Sequence, residues 1–448
     1  MMKTSAKILL LTIAVLAAGC LSFNKRPDLD LLYRSSHLSD NSTPVIIIPG
    51  LMGTTLVNGK GEEVWPKSVG NIAFSRFDDI ALDENRDIRP GGLFDAIAGV
   101  DFYGTLLTTL EKAGRYQKGE PGTPIANKNR RRYYVLLYDW RKSNFDAVNQ
   151  LHALVEQIRR DYDKPDLQVD IIAHSNGGLI ARYYLQYGPQ DAASRVKPTP
   201  WNEGGSRIRR IAMLGTPNLG SVISVSRLYR GFRLGLREIP PHILSYFATP
   251  FETLPNPKAN AFIDANGTAV DLDIYDVSLW YKNRWSVFNE DVRQQVRREY
   301  PDAERRLALL DERFIANLEN GRHFQSALAV PLVDGRVQFA VFGGDCELTA
   351  SRAVVESAGN GNGLRLAFQE SEIAGKRRNV DYARLMQAPG DGLVTRESQL
   401  ARASNIYLNQ SMDRDLFPVS QTMFFCEKHD RLTSNPYFQN NLLYFILH

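Results

Sequence analysis

Leu167–Gly178 reads LQVDIIAHSNGG, a short apolar run that stops abruptly at a serine set among small residues. A serine on a tight strand-to-helix turn sits in strained backbone geometry, so the residues two before and two after it must be small. Here they are Ala173 and Gly177, the alanine adding only a methyl to the usual glycine. Val169, Ile171 and Ile172 read as the strand, and LIARYYLQYG after the turn reads as a helix closed by Gly188 as C-cap. The layout predicts a nucleophile elbow that presents Ser175.

Outward from the elbow, PVIIIP at Pro44–Pro49 is a buried strand ending at Gly50, and YYVLLYDW at Tyr133–Trp140 is a second. RIRRIAMLGTP at Arg207–Pro217 and VQFAVFGG at Val337–Gly344 are further strands. In DAVNQLHALVEQIRRDYDKP, residues Val148, Leu151, Leu154, Val155 and Ile158 recur at three- and four-residue steps, an amphipathic helix stopped by Pro165. Buried strands alternating with helices predict an α/β protein with a mostly parallel sheet, helices on both faces, and ligands at the carboxyl ends of the strands. With the elbow, this is the expectation of an α/β-hydrolase fold. Residues 43–217 form the first part of that core and 332–448 the second. Between them, 218–331 is long, rich in aromatics and arginine, and without an obvious buried strand, so it reads as an inserted lid or cap.

A serine hydroxyl is a poor nucleophile unless a histidine takes its proton and a carboxylate orients that histidine. In this fold the chain order is serine, acid, histidine. Of the seven histidines, His37 lies in a leading linker, His152 in a helix, and His174 beside the serine, expected to point elsewhere. His242 and His323 fall in the insertion and His448 at the end, which leaves His429, in a polar loop after the strand-like VSQTMFFCE. Two acids follow VQFAVFGG: Asp345 at its end, and Asp391 in PGDGLVTRESQL between two glycines that allow a tight loop. The oxyanion of a tetrahedral intermediate needs backbone N–H donors, one from the residue after the nucleophile and one from the loop after an early strand. Those are Asn176 and Leu51, the latter in PGLMGTTL.

The first residues, MMKTSAKILLLTIAVLAAGC, give a basic start, an apolar stretch and then Gly19-Cys20. The stretch is short for a membrane span and has the shape of a secretory signal over residues 1–19. Its small-small-cysteine ending resembles a bacterial lipobox, which predicts lipidation at Cys20 and a polar linker over 20–42. The expected location is the bacterial cell envelope, lipid-anchored, and the absence of aspartate after the cysteine favours the outer membrane. Export would place Cys346 and Cys426 in an oxidising compartment, where two leftover cysteines pair, so a disulfide between them is expected. The formal charge is +4, and losing Lys3 and Lys7 with the leader halves it, so nothing electrostatic favours nucleic acid. No His/Cys cluster has ligand spacing, and neither a metal nor another cofactor is expected.

Taken together, IIIPGLMGTTL, YDWR at Tyr138–Arg141, AHSNGG, LGTPNLGS, PFETLP at Phe251–Pro255, DIYDVSLWYKNRWSVF, GDGLVTRESQL and KHDRL resemble the lecithin:cholesterol acyltransferase family, in that family's order. The resemblance implies that Ser175, Asp391 and His429 are the triad, which selects Asp391 over Asp345 by motif. It places the oxyanion donors at Leu51 and Asn176. It implies a serine-dependent acyl hydrolase or acyltransferase acting on phospholipid or acylglycerol, passing the acyl group to water or an alcohol. The expected partners are a lipid ester and a membrane surface, reached through the lipidated N-terminus and a lid presenting aromatic residues. The rival readings are a carboxylesterase or peptidase on soluble substrates and a lipid-binding lipoprotein without catalysis. YDWR either lines the site or is a structural strand end with Arg141 paired to a carboxylate.

Overall fold

The apolar runs of the sequence pair into one seven-stranded sheet. The computed structural model describes residues 26–36, 41–66, 77–82, 87–97, 100–189, 198–234, 237–257, 259–332, 335–359, 363–402, 404–405, 410–411 and 416–448. The strands are β1 (Val45–Ile48), β2 (Gln117–Lys118), β3 (Arg132–Val135), β4 (Val169–His174), β5 (Ile208–Leu214), β6 (Gln338–Gly344) and β7 (Gln421–Phe425). They lie in the order β7-β6-β5-β4-β1-β3-β2, and every pairing is parallel. The expected leader over 1–19 and the lipidation site at Cys20 lie outside the described residues, as does part of the 20–42 linker. Among the described residues no helix is long and apolar enough to cross a membrane.

The two-residue strand period divides the core between the two faces. Ile46, Ile48, Val169, Ile171, Ala173, Ile211, Met213, Phe339 and Val341 join one cluster. Val45, Ile47, Ile172, Ala212, Leu214, Ala340 and Phe342 join the other. The first face is covered by α2 (Asn144–Asp161) and α3 (Asn176–Tyr187), through residues such as Leu151, Val155, Leu179 and Ile180. The second is covered by α1 (Gly104–Lys112) and the closing α6 (Pro436–Leu447), through Leu106, Leu110, Phe438 and Leu442. Burial on both faces is why these strands read as continuous apolar runs.

Two expectations need correction. The strand expected over Tyr133–Trp140 ends at Val135. Leu136 N–H still reaches Ile47 O (2.9 Å), but the Thr54 hydroxyl then takes Tyr138 O (2.7 Å) and the chain turns out of the sheet at Asp139. The aromatics of 218–331 do not point outward as a lid's contact face. Phe247, Phe251, Trp280, Trp285, Phe288, Phe314 and Phe324 are buried, and of the large aromatics there Tyr281 is the exposed one among the described residues. Phe314 alone makes edge contacts with Phe251 (5.0 Å), Trp280 (5.1 Å) and Phe288 (5.2 Å). These rings, with α4 (Val222–Arg230) and α5 (Ala303–Leu328), extend the cluster on the first face of the sheet, Phe324 stacking on Tyr183 of α3 (5.1 Å). A short buried strand, Phe262–Ile263, pairs in parallel with Ala353–Val354 and stitches the insertion to chain that follows β6.

Candidate active site

Ser175 sits between β4 and α3 with φ 53° and ψ −123°, a left-handed geometry that a non-glycine residue adopts only when its surroundings force it. Its N–H donates to Leu214 O (2.8 Å) on β5, which fixes the turn against the neighbouring strand. The room for that turn comes from Gly177, where a Cβ would lie 2.4 Å from Ile48 O. The Ser175 Oγ consequently stands at the carboxyl end of the sheet, 2.9 Å from His429 Nε2.

His429 follows β7, and its Nδ1 lies 2.7 Å from Asp391 Oδ2. The backbone repeats the link, His429 N–H donating to Asp391 O (2.9 Å). The other carboxylate oxygen accepts from the N–H groups of Leu393 (3.0 Å) and Val394 (2.7 Å), so the loop that carries Asp391 also holds its charge. A carboxylate only accepts, so Nδ1 carries the ring proton and Nε2 is left to accept from the serine hydroxyl. Asp391 is 1% exposed and His429 8%. Asp345 stands apart: it pairs with Arg396 at 3.5 Å. The structure thus brings Ser175, His429 and Asp391 together and leaves Asp345 outside.

Leu51 and Asn176 line the same cavity as Ser175. Asn176 opens α3, where the first N–H groups have no intrahelical acceptor and the helix dipole favours negative charge. The Pro49-Gly50-Leu51 loop lies against the serine, since a Cβ on Gly50 would meet Ser175 Cβ at 2.8 Å. Tyr138 ties the two loops together: its hydroxyl donates to Pro49 O (3.0 Å) and accepts from Asn176 Nδ2 (3.2 Å). The remainder of YDWR serves both readings. Arg141 makes a buried bidentate pair with Asp139 (2.8 and 2.6 Å), while Trp140 lines the cavity.

Four residues that the sequence did not single out as site components complete the surroundings. His174, expected to point away, packs its ring 5.1 Å from that of His429. His429 O can only accept, so the neutral His174 ring carries its proton on Nε2 (3.3 Å) and its Nδ1 accepts from the Tyr103 hydroxyl (2.7 Å), which itself accepts from Gly50 N–H (2.9 Å). This chain joins the oxyanion loop to the histidine loop. Burial, then the neighbouring His429, pulls the His174 pKa down to about 3, so its ring is neutral. Asn144 pairs its amide reciprocally with that of Asn176 (2.9 and 2.7 Å). Glu252, from the PFETLP segment, accepts from Asn144 N–H (2.7 Å) and from the Ser143 hydroxyl at the start of α2. No local pattern marks these residues, because each acts through a partner remote in sequence.

The cavity over Ser175 encloses about 910 Å³. Its walls are mostly apolar and include Met52, Trp65, Phe94, Phe102, Trp140 and Phe247. Cys346 and Cys426, just past β6 and β7, are joined as a disulfide with Cα atoms 4.9 Å apart. Among the described residues no group of three or more His, Cys, Asp or Glu side chains is placed to hold a metal ion.

Residues 128–291 match a family model, spanning YDWR, the elbow and the PFETLP and tryptophan-bearing segments. That family is lecithin:cholesterol acyltransferase. The resemblance to the lecithin:cholesterol acyltransferase family is therefore met over this stretch. No curated protein matches the chain in sequence. Among solved structures, a chain of the Tle4–Tli4 complex superposes with a TM-score of 0.58 at 13% identity, covering 90% of this chain and 98% of that one. The lipase of Staphylococcus hyicus gives 0.36 at 14% identity, covering 94% and 96%. The Bacillus licheniformis lipase BlEst2 gives 0.33 at 10%, covering 91% and 94%. The fold is that of the α/β hydrolases, as the alternation of strands and helices predicts.

Proposed function

We propose that this protein is a serine-dependent lipid acyl hydrolase or acyltransferase with Ser175 as nucleophile, His429 as general base and Asp391 as the carboxylate that orients it. The observation that carries the reading is the hydrogen-bonded run from Asp391 through His429 to Ser175 Oγ beneath an apolar cavity of about 910 Å³. His429 takes the hydroxyl proton as Oγ attacks the ester carbonyl, and the oxyanion is received by the N–H groups of Leu51 and Asn176. Collapse of that intermediate transfers the proton from His429 to the leaving alcohol and leaves an acyl-serine. Water or a second alcohol, deprotonated by the same histidine, then releases the acyl group. Each oxyanion donor is worth about 3 kcal/mol in transition-state binding.

Apolar walls of this size suit acyl chains rather than a peptide or a small polar ester. Within the same reading, Cys20 is the lipidated residue that holds the enzyme at the outer membrane of a bacterial envelope, beside its lipid substrate. A fluorophosphonate probe tests the central claim. Wild-type protein is expected to label, and Ser175→Ala to abolish the label. Labelling that survives in the variant overturns the assignment of the nucleophile, and faster turnover of monomeric than of micellar ester overturns the lipid specificity.

A further inference from the structure

The cavity over Ser175 carries one feature that its reaction does not explain. Ile223, Ser224 and Arg227 on α4 share the helix face that lines the cavity, with Phe232 and Leu234 of the following segment beside them. Arg227 is half-buried, and it lines this cavity. Its guanidinium rests on the Phe232 ring, 4.5 Å from the centroid. It has no hydrogen-bond or ion-pair partner among the described residues. Burial alone lowers its pKa, to about 10, with no carboxylate acting against it.

The more deeply buried arginines of this protein are provided for. Arg141 has the Asp139 carboxylate and Ile80 O. Arg182 has Asn218 Oδ1 (3.0 Å) and Leu328 O (2.9 Å). Arg131 binds the carbonyls of Asn41, Gly114 and Ser36. A half-buried guanidinium left with five donors and one aromatic face has given up part of its hydration without recovering it from protein. A hydrophobic side chain there would fill the cavity wall at lower cost, so the arrangement makes sense when a ligand brings the missing acceptors.

We infer that Arg227 is the anion-reading residue of this cavity, its planar fork receiving the two oxygens of a phosphodiester or carboxylate carried by an otherwise apolar amphiphile. The geometry of the fork favours such two-oxygen groups over a lone hydroxyl, and the aromatic face below keeps the plane of the guanidinium in place. The inference rests on the proposed role of Ser175 only for the direction in which the ester faces. It separates charged from neutral lipids: a glycerolipid bearing a phosphodiester satisfies Arg227, whereas a diacylglycerol or triacylglycerol leaves it bare.

The test measures binding, so it does not depend on turnover. The full-length protein is titrated with a dialkyl-ether phosphatidylglycerol and with the neutral dialkyl-ether glycerol of the same chains. The readout is tryptophan fluorescence, since Trp65 and Trp140 line the cavity. Charge-assisted hydrogen bonds of this kind predict a preference of roughly ten- to a hundredfold for the phosphodiester. Arg227→Met is expected to bring that ratio close to one, and Arg227→Lys to keep part of it. A third titration, with a fatty-acid anion, separates the sources: Arg227-dependent binding of the carboxylate alone assigns the site to the acyl product, and of the phosphodiester to the head group. A wild-type protein without preference, or a folded Arg227→Met that retains it, overturns the inference. Failure of fluorophosphonate labelling at Ser175 would sink the proposed reaction and leave this binding ratio intact.

Discussion

Asp345 and Asp391 both follow the same strand, and single residues decide which of them reaches His429. Asp391 lies in a loop whose own N–H groups at Leu393 and Val394 bind one carboxylate oxygen, which aims the other at Nδ1. Asp345 spends its charge on Arg396 at the surface, an exchange worth at most about 1 kcal/mol. Replacing Asp391 by Asn keeps the shape but offers Nδ1 a donor in place of an acceptor or forces the wrong ring tautomer. The expected loss in kcat is roughly 10⁴-fold. Asp345→Asn is expected to leave kcat within about twofold, because nothing there touches the reacting atoms. Steady-state kinetics on a soluble ester checks both, and the opposite ranking would reassign the acid. Ser175 and His429 were legible from small neighbours and chain order. Local residues only leaned towards Asp391, through the two glycines around it, and the motif selected it; which N–H groups converge on which oxygen is visible only in the folded loop. Arg227 is harder still, since a sequence cannot display a missing partner.

At the scale of elements, the start of α2 is the junction that the sequence hid. The amphipathic spacing predicts this helix and places its interior correctly, but its N-terminus is completed from a segment more than a hundred positions away. Glu252 is fully buried there, taking the Asn144 N–H and the Ser143 hydroxyl, while the Asn144 amide braces Asn176. PFETLP was recognisable as a motif without this role being readable. Burial, only partly offset by those hydrogen bonds, raises the Glu252 pKa from 4.5 to about 7. Between those values the folded protein holds a proton that the unfolded chain has released. Stability from this group is therefore greatest below pH 4.5, declines as pH rises through the window, and levels off above 7. Glu252→Gln has no such proton to lose. Urea unfolding at both ends of the window is expected to show the wild type losing about 3 kcal/mol relative to the variant. Parallel curves would mean that the carboxyl titrates normally.

For the molecule as a whole, the layered α/β architecture was readable because the central strands of a doubly covered parallel sheet are apolar on both sides, while the edge strand β2 (Gln117–Lys118) carries no such signal. The insertion was readable as a departure from that rhythm, yet its aromatic wealth suggested a surface that the structure turns inward, since composition does not distinguish rings that meet lipid from rings that meet one another. The Cys346–Cys426 bridge acts at this same scale. It joins the ends of neighbouring strands β6 and β7, beyond which run the loops carrying Asp391 and His429, and it closes a chain separation of 80 residues. Constraining the unfolded chain over such a loop is worth about 4.5 kcal/mol in the loop-entropy account, and native strain or residual structure lowers the yield. The variant with both cysteines replaced by alanine is expected to unfold at lower temperature and to lose esterase activity ahead of global unfolding, because the acid and histidine loops hang from the two tethered strand ends. Thiol reductant should bring the wild type to the same behaviour and leave the variant unmoved. A wild-type melting curve indifferent to reductant would show that the bridge bears none of this load.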